Sequence, residues 1–243
     1  MKEPQPNTRQ IRIPEGSLRR LPIYHRLLQD KRAAGEQYIS CSTIGRELGL
    51  DSTQVRKDIE AAGIVGRPKV GYLLMSLMVG IEEFLGWNNT KDAFLVGAGS
   101  LGSALMGYEK FRKFGLNIVA AFENDPQKIG TQVHGREVLP IEKMVELARR
   151  MHVHLGVIAV PAPAAQAVAD LLVEGGIRAL WNFAPVHLRV PEFVILQNED
   201  LYPSLASLSF KLERRMKAEQ AAGSEDNARD PGIINGSEVR KSL

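Results

Sequence analysis

The stretch DAFLVGAGSLG, residues 92–102, constrains the fold more than any other part of the chain. An apolar strand runs directly into three glycines, Gly97, Gly99 and Gly102, and the helix-forming run SALMGYEKFRKFG follows. Strand, glycine turn and helix in this order form the context a dinucleotide-binding turn requires. The rhythm then continues. LNIVAAFEND reads as a strand, PIEKMVELARRM as a helix, HLGVIAVP as a strand and PAAQAVADLLVEGG as a helix. IRALWNFAP and EFVILQN supply further strands. Alternation at these lengths implies right-handed βαβ units and a doubly wound parallel sheet, an α/β Rossmann domain expected over residues 86–203.

The motif begins almost a hundred residues into the chain, so the preceding segment needs its own account. Residues 1–11 are polar with two prolines and read as a flexible arm. Leu21, Tyr24, Leu27 and Leu28 recur at helical spacing over residues 18–34. SCSTIGRELGL reads as a short helix capped by Ser40 or Ser42. After a glycine-containing turn, a second helix capped by Asp51 or Ser52 runs to Gly63. Two short helices joined this way resemble a helix-turn-helix, and IVGRPKVGY suits a hairpin wing. A connecting helix over 73–85 completes a winged-helix unit at 12–85, and GWNNTKD reads as the linker.

Charge separates the two halves. Residues 1–80 hold 13 Lys and Arg against 8 Asp and Glu, while the remainder holds 18 against 20. A basic front half points to a polyanion partner. Gln54 and Arg56 are residue types that read adenine and guanine edges, and Lys57 suits phosphate. Arg67 and Lys69 on the wing could reach phosphate or a minor groove. Ser52 and Thr53 stand at the start of the same helix and complete the candidate DNA face.

In the second half each glycine has a role: a tight turn, backbone approach to a pyrophosphate, and close helix packing. Ala98, Ser100 and Leu101 complete the turn, and the helix start at Ser100 offers free N–H groups to phosphate. Glu123 ends the second strand about twenty residues beyond the last glycine, where a carboxylate accepts from ribose hydroxyls. That favours NAD over NADP. Cys41 is the only cysteine, which excludes an internal disulfide and a cysteine-cluster metal site. His134, His152 and His154 have no carboxylate or thiol partner at ligand spacing, so no metal is expected. No nucleophile, base and orienter form a set, so no catalytic residue is expected. No secretory signal or long apolar run is evident, and a cytoplasmic protein is the default.

Along residues 12–212 the chain resembles the Rex redox-sensing transcriptional repressors. The similar segments are RIPEGSLRRLPIYHRLL, TQVRKDI, VGY at 70–72, VGAGSLGSALMGYEKF, IVAAFENDPQKIG, AVPAPAAQAVADLLVEGGIRALWNFAPVHLRVP and LASLSF. The resemblance implies a homodimer that exchanges its C-terminal helix, here residues 204–222, ahead of a disordered tail at 223–243. It implies NAD(H) as a regulatory ligand and palindromic operator DNA as partner, bound when NAD+ is high and released when NADH binds. Carried onto this chain, Tyr108 would lie near the nicotinamide, and Arg26 of the first helix would communicate with the nucleotide domain. Val160, Pro161, Asn182 and Phe183 would line the cofactor. The chain departs from the family pattern at Glu60-Ala61-Ala62-Gly63, where Ser-Tyr-Phe-Gly is common, and at Arg67-Pro68-Lys69 in the wing. Glu123 often corresponds to aspartate. Two other readings compete: an NAD-dependent oxidoreductase with an N-terminal extension, and a nucleotide-binding relative that has lost DNA binding.

Overall fold

A computed structural model describes residues 13–67, 70–200 and 202–227 of the 243. The expected arm at 1–11, wing residue Lys69 and the tail from 228 onward lie outside the described residues.

The front unit is α1 (Glu15–Ala33), β1 (Tyr38–Ile39), α2 (Cys41–Leu48), α3 (Ser52–Ala61), β2 (Tyr72–Leu73) and α4 (Leu74–Phe84). Its core gathers Leu21, Tyr24, Leu28, Ile44, Val55, Ile59, Leu77 and Ile81, all fully buried. Both open capping questions are resolved by geometry. Ser40 Oγ accepts from the Thr43 N–H at the start of α2, and Asp51 accepts from the Thr53 and Gln54 N–H groups at the start of α3. Ser52 is therefore the first residue of α3, not its cap. Gly49 ends α2 at φ +66°, a left-handed conformation that glycine reaches without steric cost and that turns the chain into α3. The wing narrows to a bridge between Arg67 and Gly71. Its return strand β2 pairs antiparallel with β1, Tyr38 opposite Leu73. That partner went unread in the sequence because two residues carry no periodicity.

One buried carboxylate ties α3 to α1. Asp58 is fully buried and accepts from Arg20 Nε at 2.6 Å, Arg20 Nη2 at 2.8 Å, Tyr24 Oη at 2.6 Å, Ser17 Oγ at 2.7 Å and Gln54 Nε2 at 2.8 Å. Burial alone would raise its pKa. The hydrogen bonds from Arg20, Tyr24, Ser17 and Gln54 outweigh that and hold it well below the ordinary carboxylate range. Asp58→Asn should cost about 3 kcal/mol, because removing one partner of a buried pair strands the others. Since the folded pKa is depressed, the stabilisation is complete above the unfolded value of about 4 and is lost as pH falls below it. Thermal melts at pH 7 and pH 3 check this. The gap between wild type and Asp58→Asn should shrink in acid, and equal melting temperatures at pH 7 would contradict it.

The second unit carries β3 (Lys91–Val96), α5 (Ser100–Gly107), α6 (Lys110–Lys113), β4 (Leu116–Glu123), β5 (Gln132–Val133), β6 (Arg136–Pro140), α7 (Met144–Met151), β7 (Leu155–Ile158), α8 (Ala162–Glu174), β8 (Ala179–Asn182) and β9 (Ile195–Asn198). The strands form one seven-stranded sheet in the order β5-β6-β4-β3-β7-β8-β9, parallel except for β5. Strand order reverses between β3 and β7, and ligands of such sheets bind in the crevice beyond the strand ends there. Two elements differ from the sequence reading. The β5–β6 hairpin was not expected; His134 and Gly135 close it with φ of 48° and 73°, the signature of a two-residue hairpin turn. The single helix expected over 103–115 is broken into α5 and α6 at Tyr108. The His134 ring covers Gly107 so closely that a Cβ there would meet it at 2.5 Å, and Arg136 donates to the Met106 carbonyl.

Trp87 in the linker packs between the two units. Its ring lies 5.1 Å from His25 of α1 and 4.7 Å from Phe114 beyond α6, while His25 Nε2 bonds Glu82 Oε1 of α4 at 2.7 Å. The chain ends in α9 (Tyr202–Asn227), which starts two residues earlier and runs five residues further than the sequence implied, taking 223–227 out of the expected tail. No described helix is long and apolar enough to cross a membrane.

Candidate functional site

The glycine turn lies at the switch point, and the three glycines divide by what constrains them. At Gly97, φ is +102° and a Cβ would meet the Ala159 carbonyl oxygen at 2.5 Å. A Cβ at Gly102 would collide with the Gly97 carbonyl oxygen. The protein's own packing requires these two. Gly99 is different: nothing lies within 4 Å of its Cβ position, which belongs to an open cleft of about 630 Å³. Gly97, Ser100, Leu101, Val160, Pro161, Glu123 and Phe183 share that cleft. The first N–H groups of α5 lack helical partners, and Gly99 offers no side-chain cap. Backbone donors and the positive end of the helix dipole thus meet an empty glycine face, the cradle a pyrophosphate fits.

Glu123, largely buried, holds this turn. Its Oε2 accepts from the Ala98 N–H at 3.0 Å, and its Oε1 accepts from Asn124 at 2.9 Å and Asp125 at 3.3 Å. Burial raises its pKa, but the three backbone donors and Lys128 outweigh this and the net direction is downward. The carboxylate stays ionised at the cleft wall. Lys128 Nζ lies 3.5 Å from both Glu123 and Asp125. Sequence reasoning missed Lys128; its place in the loop five residues beyond Glu123 gives no periodic signal.

On the front unit, α3 exposes Thr53, Arg56, Lys57 and Glu60, a stripe at positions i, i+3, i+4 and i+7. Arg56 and Glu60 also line a groove shared with Ser42 and the wing residue Arg67. Gln54 departs from the expectation. Its side-chain N–H donates to Asp58 Oδ1, so it braces the helix and has less freedom to read a base edge.

Comparison with known proteins covers both halves. Residues 12–59 match the family described as DNA-binding protein N-terminus, and residues 88–186 match the CoA binding domain family. The redox-sensing transcriptional repressor Rex of Treponema denticola is 42% identical over 199 residues, which is 82% of this chain and 95% of that repressor. The Rex of Carboxydothermus hydrogenoformans is 43% identical over 84% of this chain and 98% of its own. The chain belongs to the Rex family. Among solved structures, RSP in complex with β-NAD+ and operator DNA superposes with a TM-score of 0.79 at 32% identity, covering 87% of this chain and 97% of RSP. RSP in complex with β-NADH superposes at 0.78, covering 86% of this chain and 98% of RSP. These Rex relatives are redox-sensing transcriptional repressors.

Several residues expected at the cofactor do not line this cleft in the single chain. Ala98 and Gly102 are absent from the cleft wall: one donates to Glu123, and the other packs beneath the turn. Asn182 is fully buried. Its amide donates to the Ala184 and Val186 carbonyls and to Asn198, and its oxygen accepts from the Ala184 N–H. Its polar groups are thus spent on the loop that follows β8 and on β9. Tyr108 lines a separate depression with His134 and Arg136. Arg26 faces solvent on α1 and has no ion pair among the described residues. His134 and His152 occupy left-handed turn positions, and His154 lies 3.4 Å from the Gly176 carbonyl. No metal-holding group of His, Cys, Asp or Glu is found among the described residues.

Proposed function

We propose that this Rex-family chain is a homodimeric repressor that binds an inverted-repeat operator and leaves it when NADH occupies the cleft at Gly97–Gly102. The observation that carries this reading is the superposition on RSP through both halves at once, since RSP is known in complex with operator DNA and β-NAD+, and with β-NADH. The stripe Thr53, Arg56, Lys57 enters a major groove, with Ser52 at the helix start and Arg67 reaching the flank. Asp58 keeps that stripe rigid, so little side-chain order remains to be lost on binding. Glu60, one turn beyond Arg56, shifts the preferred operator from that of relatives lacking a carboxylate there.

The test is a selection from random duplexes, run with NADH and with NAD+. An inverted repeat should be enriched with NAD+ and lost with NADH. Arg56→Ala should relax one position and cost about 1–3 kcal/mol if it holds guanine. Lys57→Ala should weaken all sequences alike and reduce the salt slope by about 0.9 per half-site. No enriched repeat, or enrichment that ignores NADH, would sink the reading.

The cleft should also prefer NADH over NADPH. An ionised Glu123 faces the adenosine ribose, and a 2′-phosphate would bring like charge against it. Lys128 offsets only part of that repulsion because Asp125 shares it. At least about a tenfold preference, or 1.4 kcal/mol, is expected by calorimetry. Glu123→Gln should narrow the gap; equal affinities in the wild type would contradict the assignment.

A further inference from the structure

Phe183, on the cleft wall at the end of β8, begins a row of aromatic rings that leads away from the nucleotide site. Its ring centroid lies 4.7 Å from Trp181, Trp181 lies 5.5 Å from Phe111, and Phe111 lies 4.8 Å from Tyr108. Trp181 and Phe183 are two residues apart on an extended chain and so share one face of the sheet. The tilted and edge-to-face angles, 55°, 70° and 67°, are ones aromatic pairs favour. Trp181 has a second attachment: its indole N–H donates to Glu199 Oε1 at 2.9 Å. The Glu199 N–H donates in turn to the Asn182 carbonyl, and the next residue, Asp200, accepts from the Tyr202 N–H at the first turn of α9. One side chain therefore joins the cleft wall, the ring row ending at Tyr108, and the root of the long C-terminal helix.

We infer that Trp181 is a positioning residue that carries the state of the nucleotide beside Phe183 to both Tyr108 and the base of α9. The inference rests on the repressor reading above. Each ring rests edge-on or tilted against the next, so a displacement at Phe183 changes the contact that holds Trp181 and, through it, Phe111 and Tyr108. Phe183 is half-buried, so an occupant of the cleft meets it directly, and Tyr108 stands 48% exposed at the far end. If Trp181 only filled the sheet face, its loss would lower stability and leave coupling intact.

The readout is the ratio of operator Kd with NADH to that with NAD+. Wild type should show a ratio of about tenfold or more, within the usual range of coupling between sites. Trp181→Leu should bring the ratio to within about twofold of unity while NADH affinity changes less than about threefold. Trp181→Phe, which keeps a ring in the row, should recover most of it. Glu199→Ala alters an exposed strand end without touching the core, and should lower the ratio by about threefold. By linkage, operator DNA should weaken NADH binding relative to NAD+ binding by the same factor in wild type, and this reciprocal effect should vanish in Trp181→Leu. Should Trp181→Leu fail to fold, Glu199→Ala decides. An unchanged ratio in the folded variants overturns the inference, as does a loss of NADH affinity large enough to explain the whole change. A wild type whose operator affinity ignores NADH overturns the repressor reading, and this inference with it.

Discussion

Gly99→Val should abolish measurable binding of NADH and NAD+ while both units stay folded. The two flanking glycines cannot separate these effects. A side chain at Gly97 or Gly102 meets backbone oxygen, so the turn itself would break. At Gly99 the Cβ direction is open and the φ is −77°, within the range of any residue. Valine is therefore tolerated by the turn, and its methyl groups occupy the space where a pyrophosphate would approach the first N–H groups of α5. A loss of about a hundredfold or more is expected, close to 2.7 kcal/mol. Calorimetry gives the affinity, and circular dichroism shows whether the fold persists. The variant should still bind operator, and NADH should no longer release it. Wild-type nucleotide affinity in Gly99→Val would place the pyrophosphate elsewhere.

Removing α9 should have the next largest effect. At about 1.5 Å per residue its 26 residues reach roughly 39 Å. Along it Leu205, Leu208, Phe210, Leu212 and Met216 are between 51% and 64% exposed in the single chain. Leu205, Leu208 and Leu212, at 3–4 spacing, set an apolar stripe that the homodimer proposed above would cover with the matching helix of a two-fold copy. A chain ending at residue 201 should sediment as a monomer or aggregate. It should bind a full inverted repeat about a hundredfold or more weakly, because two linked half-site contacts become two independent ones. A monodisperse truncated dimer in sedimentation would show that α9 is not the dimer contact.

Much of this molecule is legible in its sequence because local rules write it there. Strand followed by Gly97, Gly99 and Gly102 announces the turn, since the protein's own packing leaves no room for a side chain at Gly97 and Gly102 and a ligand's approach needs the open face of Gly99. The alternating apolar runs then require a parallel sheet. The helix-turn-helix follows from apolar spacing and from capping groups that act within three residues, and Glu123 is placed by its distance from the turn. Tertiary structure alone decided what the side chains do there. Gln54 and Asp58 sit four residues apart, yet their roles come from Ser17, Arg20 and Tyr24, between 34 and 41 residues away from Asp58. Tyr108 stands where its helix ends, and His134 and Arg136, on a hairpin too short to show periodicity, close over the turn before it. Asn182 turns inward because Ala184, Val186 and Asn198 satisfy its amide, a buried network that no spacing encodes. Trp181 meets Phe111 and Glu199, far from it along the chain, for the same reason. Periodicity and capping are properties of neighbours along the chain, whereas the partner of a buried polar group or ring is whatever folding brings within a few ångströms.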